Sequence, residues 1–90
     1  MSKQWDIAWT SQALKDREKL AHSPYAKKGK ALLLLLRENP YQVPPSFENL
    51  VGDLKGAISR RISIQHRLVY EVLESEHAVK ILSCWTHYRD

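Results

Sequence analysis

An α+β domain with the element order β-α-α-β-β-β-β is predicted by three features of this chain. Two helical patterns are confined to the residues before Pro40, four β-type patterns crowd the second half, and a proline-rich joint separates them. The expected sheet is mostly antiparallel and covered on one face by the two helices. Ninety residues, 43% hydrophobic and 27% charged, suit a single folded domain over 1–90.

Trp5, Ile7 and Trp9 alternate with Asp6 and Ala8, the period of two expected of a short half-buried strand. Thr10 or Ser11 can cap a first helix reaching about residue 21. Its narrow apolar stripe reads as Leu14, Arg17 and Leu20, with Lys15, Asp16, Glu18 and Lys19 outside. Ser23 before Pro24 makes an N-cap and N1 pair for a second helix, which should continue to about Asn39, where Pro40 ends it. On that helix Tyr25, Gly29, Leu32, Leu33 and Leu36 share one face, while Leu34 and Leu35 point elsewhere. Packing between the sheet and the first helix explains most of this leucine run. The surplus can feed a partner groove or a homodimer contact.

Pro40, Pro44 and Pro45 impose an extended connection between the two halves. Beyond it, β-type patterns cover 48–51, 57–63, 67–73 and 78–86, with turns near 52–56, 63–66 and 74–76. Connections this short allow only antiparallel neighbours, because a parallel pair needs a crossover of about a dozen residues or more. Two helices cannot cover both faces of such a sheet, so one face should be open and polar. Alternation places Arg67 and Glu71 on that open side, opposite Leu68, Tyr70 and Val72.

Composition excludes several function classes. A formal net charge of +4 favours anionic partners without naming one. The single cysteine, Cys84, rules out an intrachain disulfide and a multi-cysteine metal cluster, and fits a reducing compartment. The longest apolar run, 31–36, is far short of the ~20 residues of a spanning helix. With no secretory pattern at the start, a cytoplasmic protein is expected. There is no glycine-rich phosphate loop, HExxH, GxSxG or Cys/His metal spacing, so neither a cofactor nor a metal is expected.

What stands out is a polar concentration: Glu48, Arg60, Arg61, His66, Arg67, His87, Tyr88 and Arg89. It matches the needs of phosphodiester cleavage in RNA, where the 2′-OH attacks its own phosphate. A carboxylate can remove that proton, a guanidinium can neutralise the phosphorane, and an imidazole can protonate the leaving 5′-oxygen. Plainer roles compete at each position. An exposed Glu after a proline-rich loop is usually just solvated, and strand arginines discourage edge pairing. His87 and Tyr88 lie near the chain end, where fraying is ordinary. His22 and His77 read as loop or strand-end residues, and Cys84 as a small buried apolar group with no depressed thiol pKa.

The combination is more specific than its parts. Ser59-Arg60-Arg61-Ile62, then His66-Arg67-Leu68-Val69-Tyr70, then Cys84-Trp85-Thr86-His87-Tyr88, with Glu48 thirteen residues ahead of Arg61, resembles the YoeB/Txe family of toxins within the RelE superfamily. The resemblance is close over 47–88 and holds at the level of topology before that. It implies a RelE-like fold and a toxin of a type II toxin-antitoxin pair that enters the ribosome and cuts mRNA in the A site. It implies Glu48 as general base, Arg67 as the phosphate-stabilising cation, His87 as general acid and Tyr88 as the ring that positions substrate. Arg60 and Arg61 are expected to contact RNA, Arg61 through backbone phosphate. The partner it implies is a YefM/Axe-like antitoxin with an acidic C-terminal tail that orders on the toxin. Two departures accompany it. Val51 stands where many such toxins carry a basic residue, and the chain continues past Tyr88 with Arg89 and Asp90, Arg89 partly replacing the lost charge.

An ordinary carboxylate is ionised at neutral pH and can accept a proton, but an ordinary imidazole is mostly neutral and cannot donate one. A nearby Glu48 and bound phosphates would raise the proton affinity of His87, so substrate completes the acid. Strong dependence on the ribosome is therefore expected, since it orients the 2′-OH in line. A different class is a non-catalytic toxin on the same scaffold, like the ParE-type relatives that act on DNA gyrase; a binder has no need of an acid and a base. A small basic RNA-binding module ranks last, lacking both paired RRM-type aromatics and a GxxG clamp.

Overall fold

A computed structural model describes residues 3–85 of the chain. The elements are β1 (Asp6–Trp9), α1 (Ser11–Ala21), α2 (Ala26–Glu38), β2 (Glu48–Asn49), β3 (Ile58–Arg61), β4 (Arg67–Leu73) and β5 (Ala78–Ser83), with 3-10 turns at Gly52–Leu54 and Glu74–Glu76. They form one five-stranded sheet in the order β1-β5-β4-β3-β2. β2 through β5 pair antiparallel, as their short connections require, and β1 lies parallel to β5. This parallel pair is closed by a crossover that contains both helices.

Pairing register separates the two faces. Arg60 stands opposite Leu68, Ile58 opposite Tyr70, Val72 opposite Val79, and Ile7 beside Val79. These side chains share one face, and Ile58, Leu68, Tyr70, Val79 and Ile81 join Ala13, Leu20, Leu32 and Leu36 of the helices in the core. Glu48, Ser59, Arg61, Arg67, Glu71 and Lys80 fall on the other face. Arg67 thus lies on the side that alternation assigns to it. A register shift between Val69 and Tyr70 keeps Val69 opposite Ser83 and Tyr70 opposite Ile81.

The helices depart from expectation in phase and start. In α1 the buried stripe is Ala13, Asp16 and Leu20: Leu20 is as expected, Ala13 and Asp16 stand in place of Leu14 and Arg17, and Leu14 is exposed. The inward turn is set by Asp16, whose Oδ2 accepts the Cys84 backbone N–H at 3.0 Å while Oδ1 accepts the Gln12 side-chain amide at 2.8 Å. A buried carboxylate is tolerable only when hydrogen-bonded in this way. Thr10 is the N-cap, its hydroxyl accepting from Ala13 N–H at 3.0 Å and donating to the Leu82 carbonyl at 3.0 Å. α2 begins at Ala26, later than the Ser23-Pro24 pair suggests. The Ser23 hydroxyl instead donates to the Leu20 carbonyl and accepts from Tyr25 N–H, closing the turn out of α1.

Gly29 of α2 packs directly against Leu20 of α1. A Cβ built there would lie 2.6 Å from Leu20 Cδ2 and 3.1 Å from Leu20 Cγ. Gly29→Ala is therefore expected to destabilise the protein by about 1–3 kcal/mol through overpacking, outweighing the helix propensity that Ala adds. Thermal unfolding would show a lower Tm; a raised Tm would mean that Leu20 moves aside freely.

β2, β3 and β5 are shorter than their sequence patterns. β2 has two residues where 48–51 was expected, and β3 stops at Arg61, where Ile62 and Ser63 N–H groups turn back to the His66 carbonyl. β5 ends at Ser83.

Candidate active site

Glu48 opens β2 directly after the proline-rich joint, and Arg67 opens β4. Glu48 pairs with Ser59, Ser59 with Val69, and Arg61 with Arg67, so the two ends meet on the open face across β3. Arg67 Nη1 donates to Glu48 Oε1 at 2.9 Å, with side-chain exposures of 25% and 68%. It is the one ion pair among the described residues. A cleft of about 370 Å³ holds the pair, lined also by Lys28, Pro45, Ser46, Phe47, Ser59 and Arg61. Glu48, Arg61 and Arg67 are therefore brought together in one cleft.

Arg60 is not part of this cleft. It is 1% exposed and directed into the core, where Nε donates to the Tyr70 hydroxyl at 2.8 Å, one Nη to the Pro45 carbonyl at 2.6 Å and the other to the Pro40 carbonyl at 3.0 Å. The Tyr70 hydroxyl donates to the Pro40 carbonyl at 2.7 Å, and the guanidinium lies 4.8 Å from the Phe47 ring centre. The expected RNA contact at Arg60 is thus replaced by a brace on the 40–47 connection. Its planar fork suits several carbonyl acceptors at once, which a lysine could not match. Burial raises the Tyr70 pKa, and the hydrogen bond from Arg60 partly offsets this.

His87, Tyr88 and Arg89 lie outside the described residues. The chain that leads to them is anchored at three points. Thr10 holds the Leu82 carbonyl and Asp16 holds Cys84 N–H. The third anchor is His66, whose Nδ1 hydrogen-bonds the Trp85 carbonyl while its ring stacks on Trp85 at 4.1 Å, with Tyr25 tilted against the His66 ring at 5.4 Å. His66 directly precedes Arg67. Its anchoring role and that of Asp16 were missed in the sequence, where neither position carries a local pattern that reveals a distant backbone partner.

Cys84 is buried, and burial, aided by the nearby Asp16 carboxylate, pushes its thiol up to about 12. The native thiol is expected to resist alkylation at about pH 8 and to react once the protein is unfolded in denaturant; fast modification of the native protein would contradict this. Because the folded thiol holds its proton more tightly than the unfolded one, its contribution to stability is complete below about pH 9 and is lost as the pH rises toward 12.

Two helices on one face of a five-stranded mixed sheet are the fold of the small RelE-type toxins. A family model described as the YoeB-like toxin of bacterial type II toxin-antitoxin systems matches residues 9–88, and the chain belongs to that family. Among solved structures, the chain is similar to a YoeB/ParE toxin from Agrobacterium tumefaciens. That match has a TM-score of 0.83 and 29% identity, covering 92% of this chain and 99% of the other. The YoeB-YefM complex from Staphylococcus aureus follows with a TM-score of 0.77 and 33% identity, covering 94% and 99%. The DinJ-YafQ toxin-antitoxin complex of E. coli matches with a TM-score of 0.73 and 27% identity, covering 93% of each chain. No curated protein sequence matches the chain.

A second opening faces the other edge of the molecule. A cleft of about 520 Å³ between β1 and α2 is lined by Asp6, Ile7, Trp9, Lys30, Leu33, Leu34 and Arg37. It shares Lys30 and Leu33 with an apolar cleft of about 220 Å³ between the helices, where Arg17 lies 4.7 Å over the Trp9 ring. Among the described residues no helix is long and apolar enough to cross a membrane.

Proposed function

We propose that this toxin is an endoribonuclease that cuts mRNA on the ribosome, using side chains alone. Glu48 accepts the proton of the 2′-OH. The 2′-oxygen attacks the adjacent phosphorus, Arg67 neutralises the charge that develops on the phosphorane, and His87 protonates the departing 5′-oxygen. The products are a 2′,3′-cyclic phosphate and a 5′-OH. Tyr88 positions the substrate, and Arg61 and Arg89 hold backbone phosphate. The observation that carries this reading is the 2.9 Å pairing of Glu48 with Arg67 on the open face. The proposed base and the proposed cation thereby lie side by side, and the chain that leads to His87 is tied at Trp85 to His66, the residue before Arg67.

The partner proposed is an antitoxin with an acidic tail, and the toxin is also proposed to self-associate. The cleft along α2 suits such a tail: Ile7, Trp9, Leu33 and Leu34 give it apolar walls, and Lys30 and Arg37 give it positive charge. Leu34 is 56% exposed, so the leucines surplus to the core do reach a surface.

Primer extension on mRNA in programmed ribosomes, beside the same RNA free in solution, tests the activity. Cleavage in the ribosomal A site should exceed that of free RNA by at least about 100-fold, since the orientation of the 2′-OH must come from outside the protein. Equal cutting of the two would contradict the ribosome dependence.

A further inference from the structure

The cleft around Glu48 contains charge that the proposed reaction does not use. Three cations, Lys28, Arg61 and Arg67, line it together with one carboxylate, Glu48. Glu48 is already paired with Arg67. Arg61 and Lys28 therefore face the cleft with no carboxylate partner among the described residues. In the same wall the Ser59 hydroxyl is buried with no hydrogen-bond partner among the described residues, and buried hydroxyls are ordinarily paired.

The sources of this charge are unequal. Arg61 and Arg67 are neighbours across the β3/β4 ladder. Lys28 comes from α2, an element otherwise occupied with the core and with the opposite cleft. β2 itself carries no cation, and Val51 just after it is 78% exposed. An exposed lysine on a helix is ordinarily a solvated surface group. Lys28 differs from its neighbour Lys27 because the 45–48 connection, braced by Arg60, folds back beside it and makes it one wall of a concave surface.

We propose that Lys28 is a second phosphate contact of this cleft, holding with Arg61 a backbone phosphodiester next to the one bound at Arg67. This rests on the reading of the cleft as an RNA site and extends it to a helix that supplies none of the proposed reacting groups. Lys28 acts as a point charge on backbone phosphate, so it contributes affinity that is independent of base identity and sensitive to salt. It does not touch the reacting atoms.

The test uses full-length protein with Lys28→Ala, Lys28→Arg and, as a control one position away on the same helix, Lys27→Ala. Two readouts are taken at graded salt: cleavage in programmed ribosomes, and fluorescence anisotropy with a short RNA bearing a single 2′-deoxy position that blocks cutting. Lys28→Ala should raise both the Kd and the concentration for half-maximal cleavage about three- to tenfold, and lower the salt slope of binding by about 0.7. Its rate at saturation should stay within about twofold of wild type, Lys28→Arg should restore binding, and Lys27→Ala should match wild type. Equal affinity and salt slope for Lys28→Ala and Lys27→Ala would overturn the proposal. If the wild type binds the RNA but does not cut on the ribosome, the nuclease reading fails and the anisotropy comparison still decides Lys28. If it neither binds the RNA nor cuts on the ribosome, both are overturned; if it cuts on the ribosome without binding free RNA, the half-maximal concentrations of Lys28→Ala and Lys27→Ala decide Lys28.

Discussion

Glu48→Gln is expected to lower the rate of mRNA cleavage by about 10²- to 10⁴-fold while leaving the melting temperature nearly unchanged. The amide keeps the size and one hydrogen-bond acceptor of the carboxylate but cannot take the proton of the 2′-OH. Stability should be spared because the pair with Arg67 is open to solvent on the Glu48 side, and exposed ion pairs contribute about 1 kcal/mol or less. Arg67→Lys should cost about 10²- to 10³-fold. A point charge replaces a fork that can hold two phosphate oxygens, although the net charge is conserved. Primer extension beside a thermal melt separates the two effects. A Glu48→Gln protein that cuts like wild type would remove Glu48 from the role of base.

Arg60→Met is expected to have the opposite signature: a loss of about 2–4 kcal/mol of stability, read as a fall in Tm of the order of 10–25 °C for a domain of this size. Methionine fills part of the volume but donates nothing. The Pro45 carbonyl then loses its donor at 2.6 Å, and the Tyr70 hydroxyl loses its own at 2.8 Å, while the Pro40 carbonyl keeps the bond from Tyr70. Leaving one such group unpaired in the interior costs about 1–3 kcal/mol. Arg60→Lys should recover only part of the loss, because one ammonium cannot reach three acceptors held in a plane. Activity should also fall, through the placement of Glu48, since Pro45 and Phe47 are the stretch that carries it. A Tm within about 2 °C of wild type would show that the connection holds itself without the brace.

The contrast between Arg60 and Arg61 shows where the sequence is legible and where it stops. Adjacent strand residues must face opposite ways, so one arginine of the pair was bound to face the helices. Which one depends on register across β3 and β4, and that is a property of strand pairing rather than of either strand alone. Residue statistics then mislead, for charged side chains are rarely fully buried, and nothing local announces that two proline carbonyls and a phenol wait inside. β4, by contrast, was readable to the residue, since an alternating strand of seven residues bounded by turns admits few alternatives. Glu48 and Arg67 were legible as a pair through the resemblance of their motifs, and their separation of 19 residues is bridged by the β2-β3-β4 ladder. The phase of α1 was not, because a lone Asp within a helix gives no sign that it will hold the backbone of Cys84.

The order of strands has a consequence for synthesis. β1 leaves the translating ribosome first, yet its partner in the sheet is β5, which leaves last. Until Ala78–Ser83 has emerged, the opening strand has no ladder to join, and a nascent chain halted earlier has only the β4-β3-β2 ladders to form. Pairings of such wide sequence separation form late and slowly. A protein whose proposed target is the machinery that makes it therefore cannot complete its sheet until the last of these five strands has emerged.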